Sequence, residues 1–167
     1  NAPSARLYHA AVWSGAEMIV LGGENAGAAL GDGARYRPAT DGWTPVSAAS
    51  APDPRTGHTA VWTGAEMIVW GGEGSPSPLW PADEAMRTGG RYDPAADAWR
   101  STSTGSYTPA ARSGHTATWG GGRMFVFGGV NPKTEPGAAY CAGVTASTGV
   151  GPPGPPVRLE FAARPNP

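Results

Sequence analysis

His9-Ala10-Ala11-Val12-Trp13 runs through Ser14-Gly15-Ala16-Glu17 into Met18-Ile19-Val20-Leu21-Gly22-Gly23, and the chain then repeats the phrase twice. The second copy is His58-Thr59-Ala60-Val61-Trp62, followed by Met67-Ile68-Val69-Trp70-Gly71-Gly72. The third is His115-Thr116-Ala117-Thr118-Trp119, followed by Met124-Phe125-Val126-Phe127-Gly128-Gly129. His and Gly-Gly positions keep the same offsets, 49 and then 57 residues. Each His-to-Trp run is short and rich in small or β-branched residues, which reads as a strand. The four-residue turns after it (14–17, 63–66 and 120–123) suit a tight hairpin. The next run is apolar throughout, as in a strand buried on both faces. Gly-Gly closes it, where close approach or positive φ excludes a Cβ.

The back half repeats as well. Tyr36-Arg37-Pro38-Ala39-Thr40-Asp41-Gly42-Trp43 matches Tyr92-Asp93-Pro94-Ala95-Ala96-Asp97-Ala98-Trp99 at Tyr, Pro, Asp and Trp. This predicts third strand, turn and fourth strand, with Pro presetting the turn, Asp bonding nearby N–H groups, and Tyr and Trp packing across the sheet. Four strands recurring near every fifty residues describe the blade of a β-propeller, a unit that cannot bury its apolar faces alone. The order Arg-x-x-His (Arg6, Arg55 and Arg112 precede His9, His58 and His115), apolar run, Gly-Gly, Tyr, Trp resembles the Kelch repeat in its bacterial form, over about the first 140 residues. The fold class expected is therefore all-β, with three Kelch blades of four antiparallel strands. The resemblance implies a propeller of five to seven blades, so three form part of a propeller or half of a six-bladed dimer. The repeats are placed at 1–49, 50–106 and 107–141.

Composition narrows the functional classes. Gly and Pro number 26 and 18, but they fall at fixed offsets between aromatic and β-branched runs and so punctuate turns. The net charge of −1 arises from 12 basic and 13 acidic residues without a basic run, which argues against nucleic acid as partner. No apolar stretch has the length of a membrane-spanning helix, so membrane insertion is not expected. Cys141 is the only cysteine, which leaves no internal disulfide and no thiolate metal cluster.

Both ends carry expectations of their own. Residues 1–6 resemble the connectors at 50–55 and 107–112, which reads as a chain that has lost at least one blade upstream. Residues 142–156 read as a stiff Gly/Pro/Ser/Thr-rich linker ending in two Gly-Pro-Pro triplets. Residues 157–167 read as the closing strand of blade three or the opening of an immunoglobulin-like domain. Pro165-Asn166-Pro167 resembles the start of such domains in secreted bacterial proteins. An extracytoplasmic or secreted location follows from that resemblance.

Candidate chemistry is weighed against the repeat. His9, His58 and His115 could ligate a metal, yet each holds the same repeat position, as a fold requirement does; hydrogen bonds tying strand one to its neighbours are expected instead. Arg6, Arg55, Arg112, the Gly-Gly pairs (Gly22, Gly23, Gly71, Gly72, Gly128, Gly129), Tyr36, Trp43, Tyr92 and Trp99 are read as structural for the same reason. Glu24 and Glu73 follow Gly-Gly in two copies, and Asp41 and Asp97 have turn roles. Tyr140-Cys141 is compared with the tyrosine–cysteine cofactor of Kelch-related copper oxidases, but there the two residues come from distant parts of the chain. No catalytic residue, metal or cofactor is assigned.

The functional expectation rests on what the repeat does not explain. Strand 2–3 loops and inter-blade connectors share one face, and loop 73–90, with Leu79, Trp80, Glu84 and Arg87, is read as having no counterpart in blade one. Variable loops on a rigid scaffold carry function, and Trp and Arg make interface hot spots. Together with Glu24 and Glu73, these residues are the binding candidates. The expected function is a non-catalytic binding or scaffold module of an exported bacterial protein, taking a protein or glycan. Further blades or a second copy would complete the propeller. The alternative implied by resemblance is a propeller enzyme, a galactose-oxidase-like copper oxidase or a sialic-acid mutarotase.

Overall fold

The apolar run of each repeat becomes the second strand of a sheet, and the rest of the blade is built outward from it. The computed structural model describes residues 2–74, 85–105, 108–130 and 138–140. Blade one contains β1 (Ala10–Trp13), β2 (Met18–Leu21), the small hairpin β3 (Glu24–Asn25) and β4 (Ala28–Ala29), then β5 (Gly33–Arg37) and β6 (Gly42–Pro45). Its main sheet has the antiparallel order β1-β2-β5-β6. Blade two follows with β7 (Thr59–Trp62), β8 (Met67–Trp70), β9 (Gly89–Asp93) and β10 (Ala98–Ser101), again in chain order across the sheet. Blade three has β11 (Thr116–Gly120), β12 (Arg123–Phe127) and β13 (Ala138–Tyr140) among the described residues. The fold is all-β, with antiparallel blades forming part of a propeller.

Register carries the repeat into space. Met18 pairs with Tyr36, Met67 with Tyr92 and Met124 with Tyr140, so Tyr140 takes the third-strand place that Tyr36 and Tyr92 hold in the other blades. Cys141, the linker 142–156 and the segment 157–167 lie outside the described residues.

β8 shows why its sequence does not alternate. Met67 and Val69 pack with Ile19 and Leu21 of blade one, whereas Ile68 and Trp70 pack with Met124 and Val126 of blade three. All four side chains of β8 are fully buried, and each contributes roughly 1.5–3 kcal/mol relative to exposure. The strand is a shared wall between two cores. Among the described residues its counterparts face a neighbour on one side only, and the exposed large apolar side chains (Leu7, Tyr8, Trp13, Phe127 and Val130) belong to blades one and three.

Turn chemistry follows the residues present. The Ser14 hydroxyl accepts from Glu17 N–H at 2.9 Å, and Thr63 does the same for Glu66 at 2.9 Å. The third hairpin has Gly121 and Gly122 at φ 55° and 75°, the pair of positive φ values a two-residue hairpin turn needs. In the back half, Tyr36 lies 5.1 Å from Trp43 and Tyr92 lies 5.0 Å from Trp99, between ring centroids. Asp41 and Asp97 close those turns at φ 47° and 49°. Each accepts the tyrosine hydroxyl of its own blade, at 2.7 and 2.6 Å. Asp97 also accepts from Ser47 N–H at 3.0 Å, and the Trp99 indole N–H donates to the Ser47 carbonyl at 2.9 Å, which ties blade two to the end of blade one.

Candidate functional site

The blades meet at a socket made by Gly-Gly on one side and Arg-x-x-His on the other. The Gly23 N–H donates to the Arg55 carbonyl, and the Gly72 N–H to the Arg112 carbonyl, each at 2.9 Å. The His ring then fills the space beside the first glycine: a Cβ on Gly22 would come within 2.7 Å of His58 Cε1, and one on Gly71 within 2.6 Å of His115 Cε1. The guanidinium of each Arg turns back into its own blade. Arg55 donates to the Gly71 and Thr88 carbonyls at 2.9 and 2.8 Å, and Arg112 to the Gly128 carbonyl at 2.9 Å. Arg6 reaches the Gly22 carbonyl at 3.1 Å and the Asp32 carboxylate at 3.0 Å. One motif thus fastens its own strands with its side chain and the preceding blade with its backbone.

The expected hydrogen bonds of the histidines are realised unevenly. His115 Nε2 lies 2.7 Å from Thr59 Oγ1, and its ring stands edge-on to Trp70 at 5.3 Å. His58 is equally buried, yet neither ring nitrogen has a partner at hydrogen-bond geometry. The cause is one substitution within the repeat: the position of Thr59 is occupied in blade one by Ala10, which has no hydroxyl. Ala10→Thr is therefore expected to stabilise the protein by about 1 kcal/mol, since an unsatisfied buried group costs about 1–3 kcal/mol. A melting curve for the variant checks this, and no gain counts against the assignment. His9 differs again, being exposed.

Burial sets the charge of these rings. His58 is pushed down to about 3, first by burial and then by the Arg55 guanidinium. His115 is pushed down to about 4 by burial and then by Arg112. Both are neutral at pH 7. They lie in successive joints between blades, and among the described residues no cluster of three His, Cys, Asp or Glu could hold a metal.

The loop face lies at the opposite end from the hairpin turns. Leu7 bridges to Glu24, Thr56 to Glu73 and Ser113 to Val130, so the Arg-x-x-His turns and the strand 2–3 loops share that face. Within it the turns touch one another: Gly57 N–H donates to the Tyr8 carbonyl at 3.3 Å and Gly114 N–H to the Gly57 carbonyl at 2.8 Å. All three residues have positive φ, 51° at Tyr8 and 62° at both glycines. Tyrosine in this region is strained, at about 1–2 kcal/mol. Where the other blades read Thr56-Gly57 and Ser113-Gly114, blade one reads Leu7-Tyr8, exposed at 63% and 68%. The repeat is broken here by two apolar side chains facing solvent. The same departure stands in the sequence when the three Arg-x-x-His turns are aligned position by position.

The other candidates are placed as follows. Glu24 starts the β3–β4 hairpin, and Glu73 bridges both Thr56 and Ala85 while accepting from the Ser113 hydroxyl at 3.4 Å. Arg87 is exposed, but its guanidinium donates to the Thr104 carbonyl at 3.0 Å, bracing the next connector. Leu79, Trp80 and Glu84 lie outside the described residues. Loop 73–90 does have a counterpart in blade one, contrary to expectation. Met86 N–H donates to the Gly72 carbonyl as Leu30 N–H does to Gly23, both at 2.7 Å. The offset between blades grows from 49 at Gly-Gly to 56 at Leu30 and Met86, so blade two keeps the same loop base and adds seven residues within it.

A family model described as "KLHDC2/KLHL20/DRC7 Kelch-repeats domain" matches residues 1–141. None of the curated proteins compared matches the chain.

Proposed function

The chain belongs to the Kelch-repeat family, and from that premise we propose that it is a binding module that takes a protein partner on its loop face. The observation that carries this reading is Tyr8. A strained, exposed aromatic stands where the two other turns have glycine, and strain of that kind clusters at functional sites. Leu7 extends the apolar contact, and Glu24 and Glu73 give it an acidic border. Tyrosine and neighbouring apolar groups supply the buried centre of protein interfaces. The loop of blade two leaves and rejoins this same face at Glu73 and Ala85, and it is seven residues longer than that of blade one. As part of the same proposal the module comes from an exported bacterial protein, a reading that rests on the form of the repeat and on the motif at residues 165–167.

The test uses one substitution with two opposed expectations. Tyr8→Gly restores the residue of the other blades and should raise stability by about 0.5–1 kcal/mol through relief of left-handed strain. The same change should weaken, tenfold or more, the binding of peptides selected from a displayed library against the wild-type chain. Peptides that bind both proteins equally would contradict the loop-face reading. Selection of glycans and no peptides from parallel arrays would replace the protein partner by a sugar.

A further inference from the structure

We propose that the outer edge of blade two, strand β10, takes an extended segment of a protein partner as an added antiparallel strand, and that this segment carries an acidic residue opposite Arg100. The site is separate from the loop face. It rests on a difference between two edges that the repeat would otherwise make alike. β6 and β10 are the outermost strands of blades one and two. In blade one the Val46 N–H donates to the Gly33 carbonyl at 3.0 Å, and in blade two the Thr102 N–H donates to the Gly89 carbonyl at 3.2 Å. Main-chain groups alternate along an antiparallel strand, so Thr44 and Arg100 turn theirs inward. Trp43 and Pro45 on β6, and Trp99 and Ser101 on β10, turn theirs outward. Proline at the outward position leaves β6 no N–H to offer there, a common guard of sheet edges. β10 has Ser101 at that position and keeps the N–H. Residues 97–105 are all described, and among the described residues no backbone bond or neighbouring strand takes the outer side of β10.

Charge decides what this edge admits. The Arg100 guanidinium donates to the Glu66 carboxylate at 2.8 Å, and its side chain is 67% exposed. Arg91 on the neighbouring strand donates to the same carboxylate at 2.9 Å, so one acid serves two bases and the row stays positive. The matching position of β6 is Thr44, which carries no charge. On an added antiparallel strand the residue opposite Arg100 falls in a non-hydrogen-bonded pair, where side chains approach most closely. Aspartate or glutamate there would share Arg100 with Glu66, whereas lysine or arginine would be repelled. A second copy of the chain is disfavoured for the same reason. The register that uses both outward residues of each β10 sets the two Arg100 side chains face to face. Pro45 thus closes one edge to any strand, and Arg100 selects at the other.

An NMR titration of the 167-residue chain with two end-blocked peptides, Thr-Val-Glu-Val-Thr and Thr-Val-Lys-Val-Thr, tests this. The glutamate peptide is expected to shift the Trp99 and Ser101 amides and slow their exchange, and to bind about fivefold or more tightly than the lysine peptide. Ser101→Pro installs the residue of β6 and should weaken binding about tenfold while circular dichroism shows the fold retained. Arg100→Thr, likewise the residue of β6, should keep binding but erase the preference between the peptides. The proposal is overturned if neither peptide perturbs those two amides, if the wild-type chain binds both equally, or if Arg100→Thr leaves the preference unchanged. Shifts confined to the Leu7-Tyr8 turn would put peptide binding on the loop face alone, which overturns the edge site and leaves the loop-face reading standing.

Discussion

Gly71→Ala is expected to destabilise the protein by about 3 kcal/mol or more. Two causes act together. Gly71 has φ 72°, where any Cβ is strained by about 1–2 kcal/mol. The added carbon would also stand 2.6 Å from His115 Cε1 and 2.8 Å from the Arg112 carbonyl oxygen. Relief requires moving the ring, which is packed against Trp70, or the backbone, which holds Gly72. Overpacking of this kind costs about 1–3 kcal/mol beyond the strain. Gly64→Ala is the matched control, with φ 100° but open space about it, and should cost only the backbone term. Urea denaturation of the two variants separates them. Equal losses would mean that the socket is not tightly filled.

Mild acid should loosen the joints between blades before it reaches the carboxylates. His58 and His115 have folded values of about 3 and about 4, below the ordinary 6.5. The folded state therefore binds fewer protons than the unfolded chain between those limits. Stability from keeping the rings neutral is complete above pH 6.5 and falls as pH drops toward 4 and then 3. Each ring sets a slope of up to about 1.4 kcal/mol per pH unit within its own window, which is narrower for His115 than for His58. Asp97, held below the usual carboxylate value chiefly by the Tyr92 hydroxyl, adds its own loss only below about pH 4. Denaturation midpoints at pH 7.5, 6.0 and 5.0 should fall steadily, and His115→Gln should flatten the decline. A midpoint that holds constant to pH 5 would contradict the neutral, buried assignment.

Much of this was legible in the order of residues, for a physical reason. A strand such as Met67–Trp70 that is apolar at four successive positions suits a wall between two cores, and that is where it lies. Gly-Gly after it announces a close approach, although not that a histidine from the next blade makes it. The ion pairs at the hairpin end were not legible. Glu17 meets Arg37 at 2.8 Å and Glu66 meets Arg91 at 2.9 Å because the second and third strands pair in a particular register. The Met-to-Tyr offsets of 18 and 25 residues differ between the blades and hide that register in the sequence. Tyr8 was missed for another reason. It sits inside a motif whose ends, Arg and His, are constant in all three copies, and the departure lies at the two positions between them.

The central claim is that backbone bonds across the Gly-Gly sockets hold successive blades together. Native-state amide exchange at Gly23 and Gly72 tests it most directly. If the claim holds, both amides open only with global unfolding, as slowly as those of the core strand β8. Exchange at the rate of the exposed turn glycines Gly15 and Gly64 would contradict it.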